Sequence, residues 1–395
     1  MPSTFPFYTK HYSKITFNGF PFMFDSTLPI TTDGAKNSAA VSTLEGIILS
    51  GGENTSGNLS TVIKITPNFE KISFQNLTTR RQHAGEKIGN LAAFTGGRTA
   101  YDWYTTEGYN PKTGEKFSLP NLVYARSDLK GASDGKITRF IGGMDRDSRV
   151  WPTIDTFAAD WTHSYIDHIY SFTEMGVCCF GGRIYVVGGW NPRNGNYYSF
   201  VYSYDSDGTR NSHPSLLIAR KGVVCATIGN KYMLAGFGVD ANGVIRNEIE
   251  IYDSAGSRTT VLRPSLGLVN VVGLSFDDCA IFCGGKNGAG PSQKAYLIND
   301  SLQMFEISLE DNRVGGVGGV IGRDAILLHG CSDTNLTYYN TSIRYLRVPR
   351  HIYIPKGAKY KFGNMSDEVT AATGTRYTIT SQQLSGYLSI PDINF

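Results

Sequence analysis

The 395-residue sequence lacks any apolar run of 18 residues, and it lacks a basic start followed by an apolar stretch. These absences argue against a membrane-spanning helix and against a secretory signal peptide. We therefore expect a protein that no signal peptide exports, located in the cytoplasm or in a virion. The six cysteines lie inside apolar runs, where thiols usually serve as small buried hydrophobic groups, which favours a reducing compartment.

A strong excess of one charge is also missing. The chain has 37 Lys and Arg against 34 Asp and Glu, a formal net charge of +3, and charged residues make up only 18 % of it. Such a balance creates no global field that would draw the protein to nucleic acid, so we expect no nucleic-acid partner. Any electrostatic recognition must be local.

The usual catalytic and metal-binding motifs are absent too. There is no phosphate-binding loop of the Gly-x4-Gly-Lys-Ser/Thr type, no Gly-x-Ser-x-Gly and no His-Glu-x-x-His. The cysteines do not have the spacing of a zinc knuckle, and the seven histidines are scattered. We expect no cofactor, no metal and no catalytic residues, and we predict that the protein is not an enzyme.

Glycine and aromatic residues, in contrast, are plentiful. The chain contains 45 Gly, 23 Tyr and 21 Phe. Glycine supplies tight turns, and aromatic residues favour half-buried strands. This composition predicts an all-β fold with few or no long helices.

An internal repeat organises most of the chain. Short apolar runs end in glycine seven times, and these first glycines are spaced 45 to 48 residues apart: Gly51, Gly96, Gly142, Gly188, Gly236, Gly284 and Gly330. A hairpin pattern precedes each glycine, and a third and often a fourth apolar run follow it. Four strands in a period of about 46 residues predict the blade of a β-propeller.

Five of the seven runs close with a double glycine, as in Ile-Tyr-Val-Val-Gly188-Gly189. This pattern resembles the kelch-repeat family over residues 12–350, and the loss of the later Trp of each repeat marks a divergent member. The resemblance implies a seven-bladed kelch-like β-propeller over residues 1–350. N-terminal runs at residues 12–17 and 21–25 would complete the blade begun at residues 317–348. Residues 351–395 would form a small C-terminal β appendage, suited to attachment or to homo-oligomer formation.

Basic residues recur 15 to 17 positions before the glycine in five repeats: Lys36, Arg81, Arg126, Arg220 and Arg313. In the blade geometry, this position is the loop that enters the innermost strand, at the rim of the central channel. Five cations around one opening would form a focused positive patch. Kelch domains of the adaptor type bind acidic peptides on such a face, so the resemblance implies that this chain could do the same. The competing interpretation is that each guanidinium ties down its own loop by bonding backbone carbonyls.

Aromatic loops should open on the same face. The loops of the second to fourth blades, near residues 98–110, 144–155 and 190–198, are the longest and the richest in aromatic residues. Such side chains supply large desolvated contact areas with polar tips. We predict ligand contacts from Arg98, Trp103, Trp151, Trp190, Arg193 and Tyr197. Alternatively, these aromatic rings pack under their own loops.

Two classes of function remain. The first is a non-enzymatic recognition or assembly module that presents its loop face to a protein or glycan ligand. Composition favours a virion component, such as a structural or receptor-binding protein of a bacteriophage tail or fibre, and an intracellular kelch-type adaptor is the alternative. The second class is a glycan-active enzyme built from Asp102, Asp145 and Asp147 at the channel mouth, which would need two carboxyl groups about 5–10 Å apart.

Overall fold

A computed structural model of the protein describes residues 14–18, 24–28, 34–309, 311–322, 324–332, 343–347, 351–354, 357, 359–362, 369–370, 372–373, 375–378 and 385–389. Every helix or strand assigned in this part of the chain is a β-strand. Accordingly, no helix with the length and hydrophobicity of a membrane span occurs there. The all-β prediction is confirmed, and the sheets form a β-propeller arrangement with six recognised blades.

The six blades are antiparallel four-stranded sheets whose strands follow one another in chain order. Blades 1 to 3 comprise Ala39–Thr43, Gly46–Ser50, Val62–Ile65 and Lys71–Ser73; Ala84–Ile88, Leu91–Thr95, Thr106–Tyr109 and Lys116–Leu119; and Lys130–Ser133, Ile137–Ile141, Thr153–Ala158 and His163–Asp167. Blades 4 to 6 comprise Gly176–Phe180, Arg183–Val187, Val201–Tyr204 and Arg210–His213; Val224–Ile228, Tyr232–Gly236, Ile249–Asp253 and Arg258–Leu262; and Val272–Ser275, Cys279–Cys283, Lys294–Asn299 and Met304–Ser308. The first strand of each blade contacts the first strand of the next.

This strand order decides which loops share an end of the propeller. In an antiparallel meander, the connection from the second to the third strand and the link from the fourth strand to the next blade leave from the same end. We call this end the loop face. Pairs of two-residue strands extend some of its loops: Glu53–Asn54 with Gly57–Asn58, Trp190–Asn191 with Asn196–Tyr197, Arg220–Lys221 with Val239–Asp240, and Lys286–Asn287 with Gly290–Pro291.

The apolar core lies between neighbouring blades. Second strands are buried along most or all of their length, and Leu91–Thr95 and Cys279–Cys283 are buried throughout, whereas the outermost strand Lys71–Ser73 is exposed. A strand that is covered on both faces reads as a continuous apolar run instead of alternating. In one such cluster, Phe140 and Phe157 of blade 3 pack with Leu91 of blade 2.

A further four-stranded sheet joins the two ends of the repeat region. Its strands in sheet order are Phe24–Leu28, Ile343–Arg347, Asp324–Leu328 and Val317–Ile321. Val317–Ile321 contacts the first strands of both blade 6 and blade 1. Only one of the two predicted N-terminal runs contributes a strand to this sheet. Lys14–Asn18 pairs instead with Ser385–Ser389, because Ile343–Arg347 already fills the third place and leaves room for a single N-terminal strand.

The chain divides into two compact units, Asp25–Leu346 and a smaller one that combines Met1–Phe24 with Arg347–Phe395. The smaller unit has a sheet of Lys14–Asn18, Ser385–Ser389, Lys359–Phe362 and Val369–Thr370, and a separate pair of His351–Ile354 with Thr375–Thr378. The predicted domain boundary at residue 350 did not include an N-terminal segment in this unit, whereas Met1–Phe24 belongs to it. The pairing of an N-terminal with a C-terminal strand places residues distant in sequence in one sheet.

In two of the seven repeats, the pair of left-handed residues lies one position away from the pair predicted from the sequence. In the intact double glycines both residues have positive φ, for example 61° and 105° at Gly188 and Gly189. In blade 5 these conformations belong to Phe237 and Gly238, one residue later than the predicted pair, and in the last repeat they belong to His329 and Gly330. Phe237 is fully buried and packs against Phe282, which offsets the cost of a left-handed conformation in a residue with a side chain.

Candidate interaction face

The double glycines join each blade to the next. The N–H of Gly97 donates to the carbonyl oxygen of Arg126, and the N–H of Gly52 donates to that of Arg80, both at 2.9 Å. Gly97 has a φ of 89°, and a Cβ there would lie 2.7 Å from the carbonyl oxygen of Arg81. Only glycine meets both conditions without strain. The repeated glycines are therefore marks of the blade junctions and carry no chemistry of their own.

Two of the predicted ligand-binding arginines lie in the interior. Arg126 and Arg220 are fully buried, and their guanidinium groups bond the carboxylates of Asp155 at 2.6 Å and Glu250 at 3.1 Å. Burial lowers the pKa of both arginines, and the neighbouring carboxylates act in the opposite direction. These arginines cannot contribute to an open cationic ring, because each is enclosed between blade strands and already paired.

Arg313 and a fourth arginine occupy the same place. Arg313 is 2 % exposed and bonds Asp311 at 3.1 Å. Arg80, also fully buried, pairs with Glu107 and donates to backbone carbonyls of its own blade. The sequence pattern assigned Arg81 to this place instead of Arg80, because the two arginines are adjacent and spacing alone does not distinguish them. The expected ring of five exposed cations is thus corrected, since most of the recurring arginines fasten the links between blades.

Lys36 and Arg81 do lie on the loop face. Their side chains are partly exposed, and both approach the carboxylate of Glu53, Lys36 Nζ at 4.0 Å and Arg81 in direct contact. Asn37 Nδ2 donates to the same carboxylate at 2.8 Å. The Glu53 carboxylate therefore partly neutralises the positive charge of Lys36 and Arg81, the two partly exposed members of the predicted set.

A ring of left-handed residues lies one position beyond Lys36 and its counterparts. These seven residues, which we call the mouth ring, all have φ between 51° and 69°: Asn37, Gln82, Asp128, Glu174, Gly222, Asn270 and Gly315. Backbone hydrogen bonds join neighbours in the ring, from Gln82 N–H to the Asn37 carbonyl at 2.8 Å and from Asp128 N–H to the Gln82 carbonyl at 2.9 Å. The loop face therefore has a rigid backbone rim.

Charged side chains on this rim are paired. Arg98 Nη2 donates to Asp128 at 3.2 Å and Arg98 Nε donates to Ser127 Oγ at 2.8 Å, while the Gln82 amide reaches Asp128 at 3.0 Å. Burial raises the pKa of Asp128, and Arg98 opposes that shift. The predicted contact residue Arg98 thus has its guanidinium committed to the rim.

Trp190 forms a compact cluster with the rim of blades 4 and 5. The Lys221 ammonium lies 3.7 Å from the centroid of the Trp190 ring, and both Lys221 Nζ and Trp190 Nε1 donate to the Glu174 carboxylate, at 3.2 and 2.8 Å. Tyr197 is half-buried, with its ring 5.7 Å from that of Trp190, and Arg193 is exposed at the tip of the loop. The structure brings these three predicted residues together in one loop.

Trp103 and Trp151 are half-buried and support the loops of blades 2 and 3. Trp151 stacks on Tyr124 with centroids 3.9 Å apart and an interplanar angle of 5°, and the Arg149 guanidinium lies 5.3 Å from its centroid. The carbonyl oxygen of Trp103 accepts a bond from the N–H of Arg126 at 3.1 Å. The Trp151 ring therefore packs between Tyr124 and Arg149, and the more exposed rings beside the two tryptophans are tyrosines.

Exposed apolar side chains concentrate on the loop face. Among the residues that the structure describes, eleven large apolar side chains are exposed, and eight of these belong to loop-face segments: Tyr101, Tyr104, Val123, Tyr124, Ile169, Tyr170, Leu217 and Val244. Five of them, which we call the junction patch, lie on three successive links between blades 2 and 5: Val123, Tyr124, Ile169, Tyr170 and Leu217. Analysis of the sequence missed these five residues. Their recurrence at the repeat period was the signal that could have found them.

The Kelch motif model matches residues 171–209, which take in the first three strands of blade 4. The chain is a divergent kelch-repeat protein. No curated protein matches its sequence at a significant level.

The acidic residues considered for glycan chemistry in this kelch-repeat protein have structural partners. Asp145 Oδ1 accepts bonds from the N–H groups of Asp147 and Arg149, and Asp102 Oδ2 accepts one from the N–H of Arg146 at 2.6 Å. Burial raises the pKa of Asp102. Within the described part of the chain, no group of three or more His, Cys, Asp or Glu side chains is arranged to hold a metal ion.

Proposed function

We propose that this kelch-repeat protein is a non-enzymatic interaction module that binds a protein partner on its loop face between blades 2 and 5. The observation that carries the proposal is the concentration of eight of eleven exposed large apolar side chains at this end. Exposed apolar groups collected in one region mark interaction sites, whereas single scattered ones need no explanation. The Kelch motif supports a protein-interaction role.

The electrostatics of the face suggest how it recognises a partner. The cations of its rim are paired: Arg81 and Lys36 with Glu53, Arg98 with Asp128, and Lys221 with Glu174. A surface of satisfied ion pairs offers little net charge to an acidic ligand. Apolar and aromatic contacts of the junction patch would therefore supply the affinity, with the ion pairs forming a polar rim.

We also propose that the ring has seven blades, the seventh being the sheet that contains Phe24–Leu28. Contacts of its first strand, Val317–Ile321, with blades 6 and 1 support this count. A closed ring covers the faces that two terminal blades would otherwise expose. The smaller unit would then serve attachment or self-association, as expected for the C-terminal appendage.

An affinity experiment with matched variants tests the binding face. The double variant Tyr124→Ala, Tyr170→Ala removes two rings of the junction patch, and Tyr165→Ala removes a ring that is 57 % exposed on the fourth strand of blade 3, away from the patch. A partner captured by the unmodified protein should bind the double variant at least tenfold more weakly, because truncating anchor residues costs about 2 kcal/mol or more. Tyr165→Ala should leave its affinity within twofold.

Equal affinity of the two variants, each with an unchanged melting temperature, would exclude the junction patch as the binding site. The capture also addresses the finer proposal drawn from composition, a structural or receptor-binding role in a bacteriophage tail or fibre. Recovery of virion proteins would support that role, and recovery of intracellular regulatory proteins would support the adaptor alternative.

Absence of enzymatic activity is part of the proposal and needs its own measurement. The Asp145 and Asp102 carboxylates accept backbone N–H bonds within the loops of the face, as turn residues do, which supports a structural role for them. A glycosidase would need two carboxyl groups placed on either side of the scissile bond. A panel of aryl glycosides should show no hydrolysis above background. Turnover that is lost in Asp102→Asn would establish the glycan-active alternative.

A further inference from the structure

Two thiols meet where the first strands of blades 4 and 5 lie side by side. Cys178 is in Gly176–Phe180 and Cys225 is in Val224–Ile228, and the two strands contact each other. The Cys225 thiol is close enough to raise the pKa of Cys178. Both side chains pack against one apolar cluster that includes Tyr185 and Val223.

A glycine makes room for this approach. A Cβ placed on Gly176 would lie only 2.6 Å from the Sγ of Cys225. Gly176 and Cys178 point to the same face of their strand because they are two residues apart. The Cys225 thiol therefore lies over the blade 4 strand, beside the Cys178 side chain, and a larger residue at position 176 would displace it.

Cys179 provides an internal comparison. As the next residue along the same strand it points to the opposite face, away from Cys225. Cys178, Cys179 and Cys225 are all partly exposed, in contrast to the buried Cys279, Cys283 and Cys331. Small reagents should thus reach the pair, and the neighbouring thiol of comparable exposure has a different environment.

We propose that Cys178 and Cys225 form a redox-dependent cross-link, a disulfide that joins blades 4 and 5 when the protein meets a low-molecular-weight disulfide such as oxidised glutathione. One cysteine thiolate attacks the oxidised glutathione, which releases one glutathione thiol and leaves a mixed disulfide on the protein. The second cysteine thiolate attacks that mixed disulfide at the protein sulfur and releases the second glutathione. Two protein thiols are oxidised to one disulfide, and one glutathione disulfide is reduced to two thiols.

The cross-link would act directly below the rim of the loop face. Glu174 and Lys221, whose ion pair holds Trp190, each precede one of the cysteines by four residues. A disulfide between cysteines 47 positions apart in the sequence restricts the unfolded chain and stabilises the fold. Oxidation would thus fasten the blade boundary that carries part of the proposed binding face. The neighbouring Cys225 thiol and burial raise the pKa of Cys178, so exchange should be slow at neutral pH.

The test is a thiol map of the folded protein. We would incubate it with oxidised glutathione at pH 8.5, alkylate the remaining thiols in denaturant, and identify disulfide-linked peptides by mass spectrometry. The expected product is one linkage between the peptides of Cys178 and Cys225, with the other four cysteines alkylated. The melting temperature should rise by several degrees and return to its initial value after reduction.

Matched variants complete the experiment. Cys178→Ser should abolish the linkage, and Cys179→Ser should retain it together with the rise in melting temperature. Two results would overturn the proposal: both thiols remaining alkylatable after prolonged oxidation, or Cys225 pairing with Cys179 as readily as with Cys178. Because the thiol map of the unmodified protein decides the question, a variant that fails to fold leaves the test intact. Partner binding does not enter this test, so its outcome is independent of the proposed function.

Discussion

Replacement of Arg126 by methionine should strongly destabilise the propeller. The substitution removes the bond at 2.6 Å to Asp155, and the buried carboxylate keeps only His163 Nε2, at 2.8 Å, as its side-chain partner. Breaking a buried pair by removing one partner costs about 3–5 kcal/mol. Arg81→Met is the matched control, because the Arg81 side chain is 32 % exposed and pairs with Glu53 on the surface, where about 0–1 kcal/mol is expected.

Equilibrium unfolding in urea, followed by tryptophan fluorescence, would measure both variants. Adding Asp155→Leu to Arg126→Met should recover part of the loss, since no buried carboxylate then lacks its arginine. Recovery should be incomplete because Asp155 also accepts a bond from the N–H of Val123 at 2.9 Å and pairs with His163 Nε2 at 2.8 Å. If Arg126→Met changed the free energy of unfolding no more than Arg81→Met, the assignment of this arginine to the blade junction would be refuted.

Two further predictions concern pH and the junction glycines. Burial lowers the pKa of His168 from 6.5 to about 4, so the unfolded chain takes up a proton before the folded protein does. The stability that the neutral ring contributes above pH 6.5 should therefore be lost as the pH falls from 6.5 towards 4, by up to about 1.4 kcal/mol per pH unit. Unfolding at several pH values should show a shallower dependence for His168→Gln, and identical slopes would contradict the reasoning. Gly97→Ala should destabilise the fold by more than about 2 kcal/mol, because the new Cβ meets a carbonyl oxygen at 2.7 Å in a left-handed backbone. Gly181→Ala should cost only about 1 kcal/mol, since its φ is also positive but no atom lies within 4 Å, and equal losses in thermal melts would count against the steric argument.

The repeat could be detected from the sequence because its signal is local. An apolar second strand followed by a tight glycine turn leaves the same pattern in every blade, as in Ile-Tyr-Val-Val-Gly188-Gly189. The pattern was misplaced by one residue at Phe237, where packing against Phe282 supports a left-handed aromatic residue. Local rules assign such a conformation to glycine, and only tertiary contacts show the exception.

The strands with which the N-terminal runs pair could not be predicted from such a local pattern. Lys14–Asn18 has the apolar alternation of a strand, but nothing in its sequence selects Ser385–Ser389 as its partner. Strand pairing between distant segments depends on which edges the rest of the fold leaves open. In this protein, Ile343–Arg347 fills the place that the first N-terminal run would have taken.

The sequence predicted which residues lie in the loops more accurately than it predicted the surroundings of their side chains. Loops of blades 2 to 4 do carry Trp151 and Trp190, and the exposed tyrosines lie beside them. The recurring arginines had two open interpretations, as a ligand-binding ring or as residues that tie down their own loops. Arg126 and Arg220 are enclosed with Asp155 and Glu250, which fits the second. Sequence spacing shows that a basic residue recurs but does not show whether a carboxylate from another strand faces it.

The amino-acid sequence by itself determined the all-β class, the period of the repeat and its resemblance to kelch proteins, because these depend on backbone preferences and apolar spacing within a few residues. The tertiary structure alone decided which charges are buried, which rings remain exposed and where the first strand pairs. Those properties depend on atoms that approach from other blades, such as the Asp155 carboxylate at Arg126 or the Cys225 thiol over Gly176. Burial and pairing are relations between distant segments, so they arise only when the blades assemble.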